Sequence, residues 1–288
     1  MPTVKEYNVK LGRLRSTRKM TKTMKMVSAN KLRKTQAMVK QSEIFKTTLD
    51  RCVRDALRQG GGETHPLLQA RPVPAPALIL VLTSDRGLCA GFNNNLIRLV
   101  VQWLDANREQ HPDSHLSCYG ARGYQFFREH HSIRKYYQGV SAKPEFGLVR
   151  RIARDLENAF LSGRYSHVFL AYNVFRSALT QKPVMEQLLP MQFPAAGVAG
   201  GLAADVLHEP SGSTVRNRLL SQAVAMQVYH AFLQSAAGEH GARMTAMDNS
   251  TASAGKLIDS YSLLRNRARQ AGITRELTEI VAGAEALK

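Results

Sequence analysis

The stretch STRKMTKTMKMVSANKLRKTQ, residues 16–36, decides the fold and raises the first question about function. Its apolar and small residues recur at steps of three and four positions, which is typical of a helix. Between Glu6 and Glu43 the chain carries eleven Lys and Arg and no Asp or Glu. The ion pairs between residues four apart that often stabilise a helix surface cannot form there. The sequence therefore predicts a helix whose opposite charge must come from elsewhere.

Charge and composition indicate a folded protein with a basic N-terminal segment. The 288 residues are 44% hydrophobic and carry a formal net charge of +18, so the apolar content is sufficient for a core. Residues 1–58 contain sixteen Lys and Arg against four Asp and Glu. No apolar run approaches the roughly 20 residues that a membrane helix needs. We expect a chain that does not span a membrane.

Proline is absent between Pro2 and Pro66 and again after Pro210, so both ends of the chain can form long helices. Heptad-like steps of three and four residues run through both ends and predict a coiled coil. The predicted seam of the first helix, which Gly60 to Gly62 would end, is Val4, Tyr7, Leu11, Leu14, Thr17, Thr21, Met24, Ser28, Leu32, Thr35, Met38, Ser42, Phe45, Leu49, Cys52 and Ala56. The predicted seam of the second is Val215, Leu219, Ala223, Met226, Tyr229, Leu233, Ala236, His240, Met244, Met247, Thr251, Ala254, Ile258, Tyr261, Leu264, Ala268 and Ala271.

The two predicted helices differ in length, at roughly 80 Å and 110 Å for a rise of 1.5 Å per residue. An antiparallel pair would leave residues 272–288 of the second helix alone as a tip. The middle of the chain alternates strand and helix patterns, with ALILVLTS, LSCYG and HVFLAYNVF as strands and KPVMEQLLPM as a possible edge strand. We predict an α/β fold in which a Rossmann-like domain, residues 72–210, is inserted between coiled-coil helices at 1–60 and 211–288.

The loop TSDRGLCAGFNNN, residues 83–95, joins a predicted strand to a helix, which is where an open α/β sheet binds nucleotides. It lacks both GxGxxG and GxxxxGK[ST], so we interpret it as a structural turn in which Gly87 and Gly91 permit tight geometry. An α/β enzyme with helical arms stays open as an alternative on the strength of this loop.

Cysteine and histidine give no sign of a reactive or metal centre. Cys52, Cys89 and Cys118 are widely spaced without a CxxC pair, so we expect buried reduced thiols and assign Cys89 a structural role. Three histidines of the middle segment are expected to be solvated loop residues rather than metal ligands: His115, His130 and His131. No catalytic residue, metal ligand or cofactor is predicted.

The basic helix leaves three interpretations open: nucleic acid binding, an acidic protein partner, or a solvated face. Aromatic residues do not interleave the basic stretch, because Tyr7 and Phe45 only flank it. Charge patterning therefore favours an acidic protein partner over nucleic acid. A generic two-helix stalk without a moving role also remains open at this point.

Three stretches in fixed order carry a resemblance to a known family: residues 16–36, TSDRGLCAGFN after the first strand, and ARMTAMDNSTASAGKLIDSYSLLRNRARQAGITRELTEIVAGA near the C-terminus. Together they resemble the gamma subunit of rotary F-type ATP synthase, over essentially the whole chain. The last stretch is the most specific because it extends beyond forty residues.

The resemblance implies a non-catalytic central shaft that couples rotation of an ion-driven c ring to conformational cycling of catalytic beta subunits. It also implies that the N- and C-terminal helices form a long antiparallel coiled coil. It implies three alpha and three beta subunits around the coiled coil, epsilon and the c ring at the α/β domain, and no nucleic acid partner. An acidic segment of the beta subunits would then supply the missing charge. The expected location is peripheral, on the cytoplasmic face of the bacterial plasma membrane, for ATP synthesis and ion transport.

By the same resemblance, six positions are expected to couple the shaft to the surrounding ring: Met24, Lys25, Arg243, Arg269, Gln270 and Thr274. Contact of Met24 with Arg243 and Gln270 is expected to set the coupling. Ala90 departs from the family pattern, which usually has a second glycine at this position.

Overall fold

The computed structural model describes residues 3–58, 65–138, 144–193 and 211–286, with side chains described as far as residue 284. These residues divide into two compact units. The terminal unit comprises Met1–Ser28 and Arg243–Lys288, and the central unit comprises Ala29–Ala242. The two longest helices, α1 and α5, contribute to both units. The predicted helix end at Gly60 to Gly62 lies outside the described residues.

The predicted long terminal helices and the mostly parallel sheet are both confirmed. Helix α1 spans Val4–Arg58 and α5 spans Gly212–Ala286. Between them the central unit contains β1 (Ala77–Leu82), α2 (Phe92–Ala106), β2 (His115–Tyr119), α3 (Ala121–Phe127), β3 (Ile133–Tyr137), α4 (Phe146–Leu161), β4 (His167–Phe175) and β5 (Gln181–Leu189). The five strands have the order β3-β2-β1-β4-β5.

Strand β1 lies at the centre of the sheet and is buried along its whole length, which explains its continuous apolar sequence. It pairs in parallel with both β2 and β4, and β2 pairs in parallel with β3. Strand β5 pairs antiparallel with β4 at the edge, with Pro183 opposite Asn173. The predicted edge strand is therefore confirmed, and its proline is tolerated because an edge strand has a free side.

Strand β3 was missed in the sequence because its central residues are charged. Its Arg134 guanidinium donates to Asp155 of α4 at 2.7 and 3.2 Å, and Tyr137 donates to the same carboxylate at 2.6 Å. Although burial alone would raise the pKa of Asp155, the hydrogen bonds from Arg134 and Tyr137 lower that pKa to about 2. This edge is held by the ladder with β2 and by side-chain pairing with α4, although its sequence shows no alternating apolar pattern.

The largest core joins the sheet, α4 and the first part of α5. In α5 the consecutive residues Ala223 to Met226 are all buried, and so are Ala231 to Leu233. Consecutive buried positions point to all sides of a helix. The predicted narrow seam is therefore wrong for this part of α5, which is a core helix of the central unit.

In the terminal unit, α1 and α5 pair antiparallel as predicted. The ring centroids of Tyr7 and Tyr261 are 6.2 Å apart, and further along α1 the Thr21 and Thr251 hydroxyls are 2.7 Å apart. Small residues at this seam let the two backbones approach closely, but they bury little apolar surface. The predicted lone tip is consistent with the side chains from 271 to 284, all of which are exposed.

Five positions that the sequence placed on the seams are wrong, because their side chains are exposed: Thr17, Phe45, Cys52, Leu264 and Ala271. Phe45 is 48% exposed, Leu264 is 38% exposed, and Cys52 is exposed rather than a buried thiol. On α1 the buried residues around Cys52 are Leu49, Val53 and Ala56. Apolar residues repeat every seven positions whether the steps alternate three-four or four-three. The repeat therefore fixes one buried position in each heptad, but it does not fix the second.

None of the described helices contains a stretch that is both long and apolar enough to cross a membrane.

We predict that the shared hydrogen bond of Thr21 and Thr251 contributes to pairing in the terminal unit. Thr21→Val or Thr251→Val alone should lower the free energy of unfolding by about 1 kcal/mol. The double variant should lose little more than either single variant, because both remove the same bond. Urea unfolding followed by circular dichroism measures all three.

The matched control is Thr23→Val, since Thr23 is exposed and bonds only within α1, to the Lys19 carbonyl at 3.0 Å. Its effect should stay within about 0.5 kcal/mol. Strictly additive losses in the double variant would show that the two threonines stabilise the pair independently.

Candidate functional site

The six residues expected to face partners all belong to the terminal unit, and Lys25 already has a partner within the chain. Its ammonium group donates to Asp248 Oδ1 at 2.6 Å. The two side chains are 40% and 56% exposed, so water screens the pair and its contribution is about 0 to 1 kcal/mol. Asp248 thus supplies a small part of the charge that α1 lacks.

The remaining positive charge of α1 within the terminal unit is directed to solvent. Lys10 lies over the Tyr261 ring, 5.7 Å from its centroid. Among the described residues between Lys10 and Lys25, five further cations are exposed and make no ion pair: Arg13, Arg15, Arg18, Lys19 and Lys22. A belt of unneutralised cations that surrounds the pairing seam is suited to a partner of opposite charge.

Apolar side chains are interspersed in this belt. Met20 is 62% exposed, Met26 53% and Val27 50%. Exposed methionine beside cations is typical of a protein-binding surface, where an unbranched thioether adapts to the partner. No stacking aromatic accompanies the cations within the described part of this stretch, which does not favour single-stranded nucleic acid.

The structure brings only some of the predicted coupling residues together. Met24 is half-buried and precedes Lys25, so it lies opposite the part of α5 around Asp248. Arg243 is buried five residues before Asp248, roughly 8 Å along the helix. Gln270 follows Asp248 by 22 residues, roughly 33 Å along the axis. The expected contact between Met24 and Gln270 is therefore not present in the terminal unit.

Arg269, Gln270 and Thr274 lie on the exposed last part of α5. The Thr274 hydroxyl donates to the carbonyl oxygen of Gln270 at 3.0 Å. That bond uses its only proton, so the Thr274 side chain can only accept hydrogen bonds from a partner. The two side chains of Arg269 and Gln270 are free to donate.

Sequence reasoning missed an apolar stripe on the same part of α5. Ile273 is 50% exposed, Leu277 58%, Ile280 68% and Val281 58%. Spacings of four, three and one place them on one side of the helix. The spacing is visible in the sequence, but it is also typical of a helix face that is buried in a core. Only the structure shows that no described residue packs over this stripe.

The loop after β1 is closed by its own hydrogen bonds. Asn93 Oδ1 accepts from the Ser84 backbone N–H at 3.0 Å, and Asn93 Nδ2 donates to Ser84 Oγ at 2.8 Å and Cys89 Sγ at 3.3 Å. The Thr83 hydroxyl donates to the Tyr119 carbonyl oxygen at 3.0 Å. With these groups engaged inside the protein, the arrangement favours a structural turn over a phosphate cradle.

The glycines of this loop are not the residues that adopt its unusual conformation. Leu88 has a φ of 62° and Ala90 a φ of 48°, whereas Gly91 has a φ of −79°. Gly91 nevertheless permits close packing, because a Cβ at this position would lie only 3.0 Å from Asn95 Nδ2. The left-handed region costs an L-residue about 1 to 2 kcal/mol, so the strain falls on Ala90, where the family pattern has glycine.

Two cysteines of the central unit, Cys89 and Cys118, are buried. Burial raises the pKa of Cys118 to about 12, so this thiol stays protonated. His111 is 8% exposed, stacks on Trp103 and lies with Nδ1 3.0 Å from the Ala75 carbonyl oxygen. The expectation of a solvated loop histidine is wrong at His115, which is half-buried on β2. The described residues include no group of three or more potential metal ligands.

Comparisons with known proteins place this geometry in context. The family described as ATP synthase matches residues 3–287. An ATP synthase gamma chain from Anaeromyxobacter sp. (strain K) is 45% identical over 292 residues, which cover 100% of both chains. The ATP synthase gamma chain of Geobacter sp. (strain M21) is 36% identical over 288 residues, again with 100% of both chains covered.

Solved structures share the fold at low sequence identity. One chain from the rotor of the Euglena gracilis mitochondrial ATP synthase has a TM-score of 0.63 and 19% identity, with 94% of this chain and 98% of that chain covered. Another, from the central stalk and c ring of the Tetrahymena thermophila mitochondrial ATP synthase, has a TM-score of 0.59 and 21% identity, with 80% and 98% covered.

We predict that Ala90→Gly stabilises the central unit by about 0.5 to 1 kcal/mol. Glycine removes the left-handed strain of about 1 to 2 kcal/mol, and the greater freedom of glycine in the unfolded chain offsets part of the gain. Urea unfolding of the full chain measures the change. As a control in the same unit, Ala37→Gly on the exposed face of α1 should destabilise by about 1 kcal/mol. A loss of stability in Ala90→Gly would contradict the strain argument.

Proposed function

Because this chain belongs to the ATP synthase gamma chain family, we propose that it is the central rotor shaft of an F-type ATP synthase. In that role it couples ion-driven rotation of a c ring to conformational cycling of catalytic beta subunits, in ATP synthesis or hydrolysis. Similarity to ATP synthase gamma chains over the full length of the chain is the observation that carries this proposal.

The shaft role needs no active site in this chain, and we propose that it is a non-catalytic subunit. Catalysis would belong to the beta subunits, and the shaft would shift their conformational populations through contacts that differ between orientations. An exposed ion pair contributes only about 0 to 1 kcal/mol. A belt of such pairs along α1 can favour one orientation without locking it.

The terminal unit provides the surface for the proposed ring of three alpha and three beta subunits. Its cations, from Arg13 to Lys22, would meet acidic beta segments, and Met20 and Met26 would add adaptable apolar contact. Arg269, Gln270 and Thr274 would meet the ring further along α5. Lys25 would exchange between Asp248 and the ring, since its pair is half exposed.

We assign the remaining partners to the α/β domain of residues 72–210, which would contact epsilon and the c ring between coiled-coil segments at 1–60 and 211–288. The complex would hold the chain peripherally at the cytoplasmic face of a bacterial plasma membrane. The alternative of nucleic acid binding has no support from the relatives compared, which are ATP synthase gamma chains.

Purification of the native complex through an affinity tag on this chain tests the proposal. Alpha, beta, epsilon and c subunits should co-purify with ATPase activity, and mass spectrometry identifies them. A chain that is recovered alone, or with nucleic acid that dissociates steeply as salt rises, would contradict the rotor assignment.

Within that complex, Met24→Lys should lower the coupling of rotation to catalysis. The added cation would strengthen ionic contact between the shaft and an acidic beta segment by up to about 1 kcal/mol. The ratio of ATP-driven ion pumping to ATP hydrolysis in inverted membrane vesicles should fall by up to about fivefold, the factor that corresponds to 1 kcal/mol.

Met24→Leu is the matched control, because it keeps an apolar side chain of similar size without the charge. Its coupling ratio should equal that of the parent, and both variants should assemble normally. Unchanged coupling in Met24→Lys would remove Met24 from the coupling surface.

A further inference from the structure

A cavity of about 530 Å³ lies between α4 and the first turns of α5, entirely within the central unit. Its volume falls within the range of small-molecule sites, roughly 300 to 1,000 Å³. Three arginines line it, Arg150 and Arg154 from α4 and Arg218 from α5. The described residues of its lining include no carboxylate.

The helices place these cations on facing surfaces. Arg150 and Arg154 are one turn apart on α4 and therefore share a face. On α5, Thr214, Arg218 and Ser221 follow each other at steps of four and three residues and also share a face. None of the three guanidinium groups forms an ion pair with a described residue. Three unneutralised cations around one cavity make it attractive to a multiply charged anion.

Polar groups and the helix start reinforce the positive charge. The Thr214 hydroxyl and the Asn217 and Gln222 amides line the same cavity and can donate hydrogen bonds. Thr214 is in the first turn of α5, which begins at Gly212. The Thr214 N–H already donates to Ser211 Oγ at 3.3 Å, so the helix start favours an anion through its dipole.

The two helices are fixed to each other at both ends of the cavity. The Ser221 hydroxyl donates to Glu157 Oε2 of α4 at 2.9 Å. Near the start of α4, the Phe146 ring meets Tyr229 of α5 edge to face, with centroids 5.2 Å apart. These contacts hold the cationic walls in place before a ligand arrives, which lowers the entropic cost of binding.

We propose that this cavity, which we call the α4–α5 cavity, binds a phosphate-bearing anion through Arg150, Arg154 and Arg218. Guanidinium groups match the geometry of phosphate oxygens with paired hydrogen bonds, and three of them can neutralise a doubly or triply charged group. The same chemistry fits a soluble phosphate compound and the headgroup of an anionic phospholipid. The inference does not depend on the rotor function.

Titration of the purified full chain with inorganic pyrophosphate, measured by calorimetry, tests the proposal. The parent should bind at one site. Arg154→Gln or Arg218→Gln should each weaken binding about tenfold, and the double variant about a hundredfold, because each removes charge-assisted hydrogen bonds. Arg218→Lys should give an intermediate loss, since the charge stays but the paired geometry does not.

Arg151→Gln is the matched control. Arg151 is exposed and adjacent to Arg150 on α4, but it does not line the cavity. Its pyrophosphate affinity should equal that of the parent. Equal affinity in the parent, the double variant and Arg151→Gln would overturn the proposal, and so would a parent that does not bind pyrophosphate. Because all these arginines are exposed, the variants should keep the circular dichroism spectrum of the parent.

Vesicle flotation identifies the source of the phosphate. Phosphatidylcholine vesicles with and without phosphatidic acid are compared for the parent, the double variant and Arg151→Gln. If only the double variant loses binding to the phosphatidic acid vesicles, the ligand is a lipid headgroup. If the parent, the double variant and Arg151→Gln bind these vesicles equally, the ligand is a soluble phosphate compound. Cavity-dependent binding of a glutamate-rich peptide without any binding of pyrophosphate would overturn the phosphate proposal in favour of an acidic protein segment.

Discussion

Close pairing of α1 and α5 through small and hydroxylated residues is the constraint on which the terminal unit depends. Thr21 meets Thr251 at 2.7 Å, and Ala254 and Ser28 are buried within the same unit. Such side chains permit close backbone approach, but they bury far less apolar area than leucine would. The central unit, by contrast, has a large apolar core in which the sheet packs against α4 and α5. Local opening should therefore begin in the terminal unit, where packing is thinnest.

The same pair of helices, α1 and α5, also carries a large excess of positive charge on α1. Lys25 reaches Asp248, but the exposed cations from Arg13 to Lys22 repel one another on one helix. An acidic partner would relieve this repulsion and stabilise the paired helices at the same time. By thermodynamic linkage, the free energy by which the partner stabilises the helix pair equals the free energy by which the pairing strengthens partner binding. Marginal packing and unneutralised charge are then two aspects of one surface that is completed by assembly.

Periodicity and proline placement predicted the long helices, and the alternation of strand and helix patterns predicted the mostly parallel sheet. The antiparallel pairing was expected from the family resemblance. What these patterns missed has local physical causes. The strand at Ile133–Tyr137 is held by the ladder with β2 and by Arg134 and Asp155, without an alternating apolar pattern. Phe45 was placed on the seam because three-four and four-three spacings of apolar residues give the same seven-residue repeat. The left-handed conformation fell on Ala90 instead of a glycine, since the Ser84 and Asn93 hydrogen bonds fix the loop. Pairwise contacts of this kind leave no periodic trace in a sequence.

Exposed residues are still harder to predict, because folding places no requirement on them. Met24, Arg269 and Gln270 came from family resemblance alone, and the structure separates Met24 from Gln270 by roughly 33 Å along α5. Residues so far apart cannot act as one contact. If both affect coupling, their effects must add along the shaft as separate weak interactions with the ring. That arrangement suits a rotor, since a single desolvated anchor of several kcal/mol would hold one orientation, whereas many screened pairs can form and break in turn.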